Sequence, residues 1–132
     1  MSARSIFFLS TGGYEAAWHA TSLAITAAAM GDEVVFVIGF DALRALARGT
    51  FGKPLSERET AAATRGEGLN APLPVNMLID ARSLGARVLA CDTTVKLCGL
   101  VPADLEEAKQ VDEVVGLPQI WALTRGAHVL NF

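Results

Sequence analysis

The chain is short of charge. Only 19% of its 132 residues are Asp, Glu, Lys or Arg, and the formal balance is −3. With no basic excess, nothing recommends nucleic acid or an anionic membrane surface as a partner. Cysteine and histidine are equally scarce, with two of each. Two thiols do not make the disulfide framework of a small exported domain, so they read as reduced thiols of a cytoplasmic protein. No Cys-x-x-Cys or His-x-x-x-His spacing occurs, which leaves no metal site to nominate. No complete dinucleotide or P-loop pattern occurs either, and no cofactor is assigned. Long apolar runs are missing too. The richest stretch, Ala16 to Met30, is interrupted by His19, Thr21, Ser22 and Thr26, so no membrane span is expected. The apolar run after Met1-Ser2-Ala3-Arg4 is cut by Gly12-Gly13 and Glu15. It reads as a first strand rather than an export signal.

What the chain has in quantity is apolar surface, at 52% of residues. That is a high share for a domain of this length, and it points to association between subunits. The apolar residues fall in an alternating order. Ser5 to Leu9 and Glu33 to Ile38 are continuous apolar runs, as in strands buried on both faces. Between them Tyr14 to Met30 is alanine-rich, free of proline and internal glycine, and stopped by Gly31. Its apolar residues cover more than one face, so the helix is expected to pack on more than its own sheet. Phe40 to Ala47, Pro74 to Leu84, Pro102 to Ala108 and Pro118 to Arg125 read as further helices. Ala86 to Cys91, Val114-Val115 and Ala127 to Phe132 read as further strands. The alternation predicts one α/β domain over residues 1–132, with a mostly parallel sheet of about five strands and helices on both faces.

Arg48 to Ala71 breaks the pattern. It is rich in Gly, Thr, Arg and Glu and has no clear period. Only Ser56 to Thr64 suits a helical turn or two. The segment is expected to be the least ordered part of the chain, or to be ordered mainly by contact with a neighbouring subunit or ligand, and its length suits a lid beside the site.

Cys91 is the first candidate for chemistry. It ends an apolar strand, and Asp92-Thr93-Thr94 follows as a helix start. In parallel α/β sheets ligands gather at the carboxyl ends of strands. The positive end of a helix favours negative charge there, and the thiolate is the nucleophilic form of cysteine. Asp92 opposes that charge, and Lys96 offsets it if it folds back. The bland alternative for Cys91 is a buried structural thiol. Cys98 lies seven residues on. Along a helix that is about 10 Å of rise, beyond disulfide reach. Between Leu97 and Leu100 it reads as a core residue, with a resolving thiol as the alternative. Ser10-Thr11-Gly12-Gly13 links a strand to a helix, where backbone amides can hold an anion. The more economical meaning is a tight turn, and Glu15 would repel a phosphate. Trp18 and Trp121 read as core or interface residues. The acidic group Asp104, Glu106, Glu107, Asp112 and Glu113 reads as a solvated face.

These features together resemble the DsrE/DsrF-like family of small α/β proteins linked to sulfur metabolism. The resemblance covers nearly the whole chain. It rests on the apolar first strand and the alanine-rich helix ending Met30-Gly31-Asp32-Glu33-Val34. It rests most on Gly85-Ala86-Arg87-Val88-Leu89-Ala90-Cys91-Asp92-Thr93-Thr94-Val95-Lys96-Leu97-Cys98-Gly99-Leu100, and then on Val115-Gly116-Leu117 and Leu130-Asn131-Phe132. The resemblance implies a three-layer α/β/α domain assembled into trimers or hexamers. It also implies a cysteine at the end of this strand that carries a persulfide between a sulfur-donor and an acceptor protein. Cys91 alone holds that position, with Thr93, Thr94, Lys96 and Cys98 as supporting candidates. The Arg48–Ala71 segment and the residues after Cys91 depart from the relay subunits of that family. The alternative function is a non-catalytic oligomeric module that binds a small ligand or a partner segment in the strand-end crevice.

Overall fold

A computed structural model describes residues 3–132. Five strands form one all-parallel sheet in the order β4-β3-β2-β1-β5. They are β1 (Arg4–Leu9), β2 (Glu33–Ile38), β3 (Arg87–Cys91), β4 (Glu113–Val115) and β5 (His128–Asn131). In β1 and β2 every residue from Ile6 to Leu9 pairs with an apolar residue from Val35 to Ile38. Alternate side chains enter opposite cores, which is why the runs are continuous rather than alternating. Phe7, Leu9, Phe36, Ile38, Val88 and Ala90 belong to one core, and Ile6, Val35, Val37, Leu89 and Cys91 to the other.

The strand order decides how the helices are shared. From β1 to β4 the chain always steps in one direction across the sheet. Right-handed crossovers then place all the intervening helices on one face. These are α1 (Tyr14–Ala29), α2 (Phe40–Arg48), α3 (Glu57–Gly68), α4 (Pro74–Ser83), α5 (Asp92–Leu97) and α6 (Pro102–Glu107). Ala17, Ala20 and Ala24 of α1, Leu43 of α2, Leu78 and Ala81 of α4, Val95 of α5 and Leu105 of α6 all join the first core. The last connection runs back across the whole sheet to β5. It must therefore cross the opposite face, and it does so with α7 (Leu117–Thr124), whose Ile120 joins the second core. The result is the expected three layers, with one outer layer made of a single eight-residue helix.

The segment from Arg48 to Ala71 is not a loop. It contains the twelve residues of α3, capped by Ser56, whose hydroxyl accepts a hydrogen bond from Glu59 N at 3.1 Å. The sequence signal was Ser56-Glu57-Arg58-Glu59, a capping box, in a stretch whose apolar residues are too small to show a period. The acidic group around α6 and β4 is also more than a solvated face. Asp112 Oδ2 accepts from Val88 N at 2.6 Å, its Oδ1 meets Arg82 at 2.7 Å, and Glu106 Oε2 accepts from Val114 N at 3.1 Å. These carboxylates pair backbone amides near the β3–β4 edge.

Candidate functional site

The carboxyl ends of β1, β2, β3 and β5 surround a cleft of about 230 Å³ on the α7 side of the sheet. Phe8, Val37, Phe40, Cys91, Leu117 and Asn131 are among the residues that line it. Cys91 reaches it because it shares the parity of Leu89 along β3, pointing away from α1. The thiol is 7% exposed and unpaired. It sits at the N-cap position of α5 but forms no capping bond with that helix. No amide of α5 is therefore hydrogen-bonded to the sulfur.

The other candidates scatter. Thr94 lines the cleft with Cys91, and its methyl lies where a Cβ on Gly39 would come within 3.2 Å. Gly39 thus lets the start of α5 sit close over the end of β2. Thr93 is exposed and does not line the cleft. Lys96 folds back, but onto Asp92, with Nζ and Oδ2 3.0 Å apart. It balances the carboxylate beside Cys91. Cys98 packs against the first core, on the other side of the sheet, with its sulfur 4.0 Å from the carbonyl of Phe40. It is more exposed than Cys91. The two thiols serve different environments and do not form a pair.

The turn at Thr11, Gly12 and Gly13 is filled by the protein itself. Ser10 N and Thr11 N donate to the carbonyl of Phe132 at 3.0 and 3.4 Å. Glu15 N, in the first turn of α1, donates to Glu59 Oε2 at 2.7 Å. The other oxygen of Glu59 accepts from Leu55 N at 3.0 Å. Gly13 has φ +106°, and a Cβ there would lie 2.7 Å from Glu59 Oε1. A buried carboxylate of α3 thus takes the place that a bound anion takes at other helix N-termini. The inserted segment was expected beside Cys91 as a lid. Instead it is fixed to the start of α1, and none of its residues lines the Cys91 cleft.

Sequence reasoning found the thiol and missed its surroundings. Phe40 has φ +45°, uncommon for a bulky residue, and lines the cleft half-exposed. Leu117 and Ile120 enter from α7, and Asn131 from the end of β5. A second groove of about 520 Å³ continues from the cleft along α7. It shares Phe8, Leu117 and Ile120 and adds Trp121, Thr124 and Val129. Among the described residues no cluster of three His, Cys, Asp or Glu is placed to hold a metal ion, and no helix is long and apolar enough to cross a membrane.

Fold and site together define a parallel α/β protein with one thiol in a cleft at the carboxyl edge of its sheet. The chain matches no protein-family model, and no curated protein is measurably similar to it.

Proposed function

We propose that the protein is a DsrE-like sulfur carrier working through Cys91. One observation carries this reading. Of the two thiols, Cys91 is the one that opens into the strand-end cleft, where parallel sheets hold their ligands. The transfer balances without any further reagent. The Cys91 thiolate attacks the outer sulfur of a donor persulfide, the donor S–S bond breaks, and the donor leaves as its thiolate. The persulfide now on Cys91 is attacked by an acceptor thiolate in the same way, and Cys91 returns to its thiolate. Phe8, Val37 and Leu117 give the bound sulfur apolar walls. Both cysteines are free, and the cytoplasm is where thiols stay reduced, so we place this activity there. We also propose that it works as a homo-oligomer. Trp121 at 68%, Leu117 at 61% and Val129 at 43% exposure support this, since they crowd one surface beside the open edge of β5. The number three, or a multiple of it, comes from the family resemblance.

The test is intact mass after incubation with a small persulfide donor. The wild type and Cys98→Ser gain the mass of one sulfur atom and lose it to a reductant, while Cys91→Ser gains nothing. Loading of Cys91→Ser equal to wild type, or no loading of any form, overturns the reading. The groove along α7 favours a second reading, a module that binds an apolar partner segment without chemistry. That reading holds if nothing loads sulfur while a bound segment shields Leu117 and Trp121.

A further inference from the structure

Far from Cys91, α3 and α1 enclose another cleft. Tyr14 opens α1 and is nine-tenths buried under α3. It takes part in no side-chain hydrogen bond among the described residues, and its oxygen is not sealed in the core. It lies on the wall shared by two adjoining hollows of about 490 and 190 Å³. Facing it is Gly66, inside α3. Gly66 has ordinary helical backbone and needs no glycine for its conformation, and glycine costs a helix about 1 kcal/mol relative to alanine. What the missing side chain permits is the hydroxyl: a Cβ on Gly66 would lie 2.6 Å from Tyr14 Oη. The helix therefore gives up stability to admit a phenol oxygen that has no partner among the described side chains and stays open to the cleft, free to donate to whatever enters it.

The rest of the wall says what would satisfy it. Ala63, Ala71, Leu73 and Pro54 give an apolar lining. The hydroxyls of Thr60 and Thr64 already donate to carbonyls in their own helix, each at 2.9 Å. Glu67 is the one charged residue lining the larger hollow, which disfavours an anion. The Glu59 bonds hold α3 in place, so the cleft is formed in advance. Its volume falls in the range of small-molecule sites. We propose that this cleft is a binding site for a small, uncharged, largely apolar molecule with one hydrogen-bond acceptor, to which the Tyr14 hydroxyl donates.

The test is a nuclear magnetic resonance titration of the full chain with acetophenone, and with benzoate as the anionic counterpart. Acetophenone produces saturable shifts at Tyr14, Ala63, Gly66 and Ala71, and benzoate binds more weakly. Tyr14→Phe weakens acetophenone about fivefold, the effect of one neutral hydrogen bond. Ala63→Leu, which fills the hollow from an exposed helix, abolishes the shifts and serves in its place if Tyr14→Phe does not fold. Shifts that do not saturate, that centre on the Cys91 cleft, or that persist unchanged in Tyr14→Phe or in Ala63→Leu overturn the proposal.

Discussion

The two faces of the sheet are built unequally. On one, α1 and α4 lie against the strands with help from α2, α5 and α6, and Phe7 and Phe36 meet at 5.6 Å beneath them. On the other, α7 crosses alone, and Trp121 and Leu117 stand out from it. Composition does not separate the faces, because Ile6, Val35 and Leu89 are as apolar as Phe7, Val34 and Val88. Connectivity separates them. Three crossovers step one way across the sheet and one returns, and handedness sends the return to the far side. The thinly covered face is also the one that holds Cys91. The thiol therefore lies where the covering layer is thinnest.

The largest effect that tests this contrast is on the thick face. Phe36 is fully buried. Phe36→Ala is expected to cost about 3–5 kcal/mol, a large part of a typical domain's stability, read from urea unfolding. Ile120→Ala on α7 removes a side chain that is nearly as buried. There the expected outcome is a smaller loss, with faster hydrogen exchange confined to α7 and β5. Equal losses in one cooperative transition would show that the two faces are equally integral and that the contrast is only geometric.

A second effect separates α3 from both faces. Glu59 accepts bonds from Glu15 N and Leu55 N, tying the inserted helix to the first. Glu59→Ala leaves those amides without their acceptor and is expected to cost about 1–3 kcal/mol. Exchange protection should fall along α3 and in the first turn of α1, while the strands stay protected. If protection of α3 is unchanged, Tyr14 and Gly66 hold the helix without the carboxylate.

These elements also show what the sequence makes legible. Apolar runs five or six residues long, separated by helical stretches with glycine stops, gave away a parallel sheet. The end of such a run marked Cys91 as lying at the edge where ligands bind. Two things stayed hidden, each for a physical reason. A strand buried on both faces has no alternation, so nothing in Val88-Leu89-Ala90-Cys91 reveals which side the thiol takes. The cleft walls are hidden as well, since Phe40, Leu117 and Asn131 come together only through the strand order, which alternation does not encode. By contrast α3 is legible. Ser56 and Glu59 stand at capping-box spacing, although the helix has no large apolar residue to give it a period.

The smallest effect on stability belongs to Trp121, and it sharpens the contrast most. Trp121 is 68% exposed, so little of its surface is buried within its own chain. Trp121→Ala is expected to change unfolding free energy by no more than about 0.5 kcal/mol in the monomer. If the thin face is completed by neighbouring copies, the same substitution acts strongly elsewhere. Large aromatic residues dominate contact energies when a partner seals them from water. Trp121 stands beside Leu117 and Val129, next to the unpaired edge of β5, so one change there removes the anchor of a contiguous apolar surface. Sedimentation equilibrium at micromolar concentration is then expected to give a multiple of the chain mass for wild type and a lower mass for Trp121→Ala. A wild-type monomer would mean that α7 alone is sufficient cover, and the proposal of association would fall with it. An oligomer indifferent to Trp121 would move the contact to another surface. Leu23 and Met30 of the α1 side, exposed at 37% and 80% on the other flank of β5, are the next residues to change.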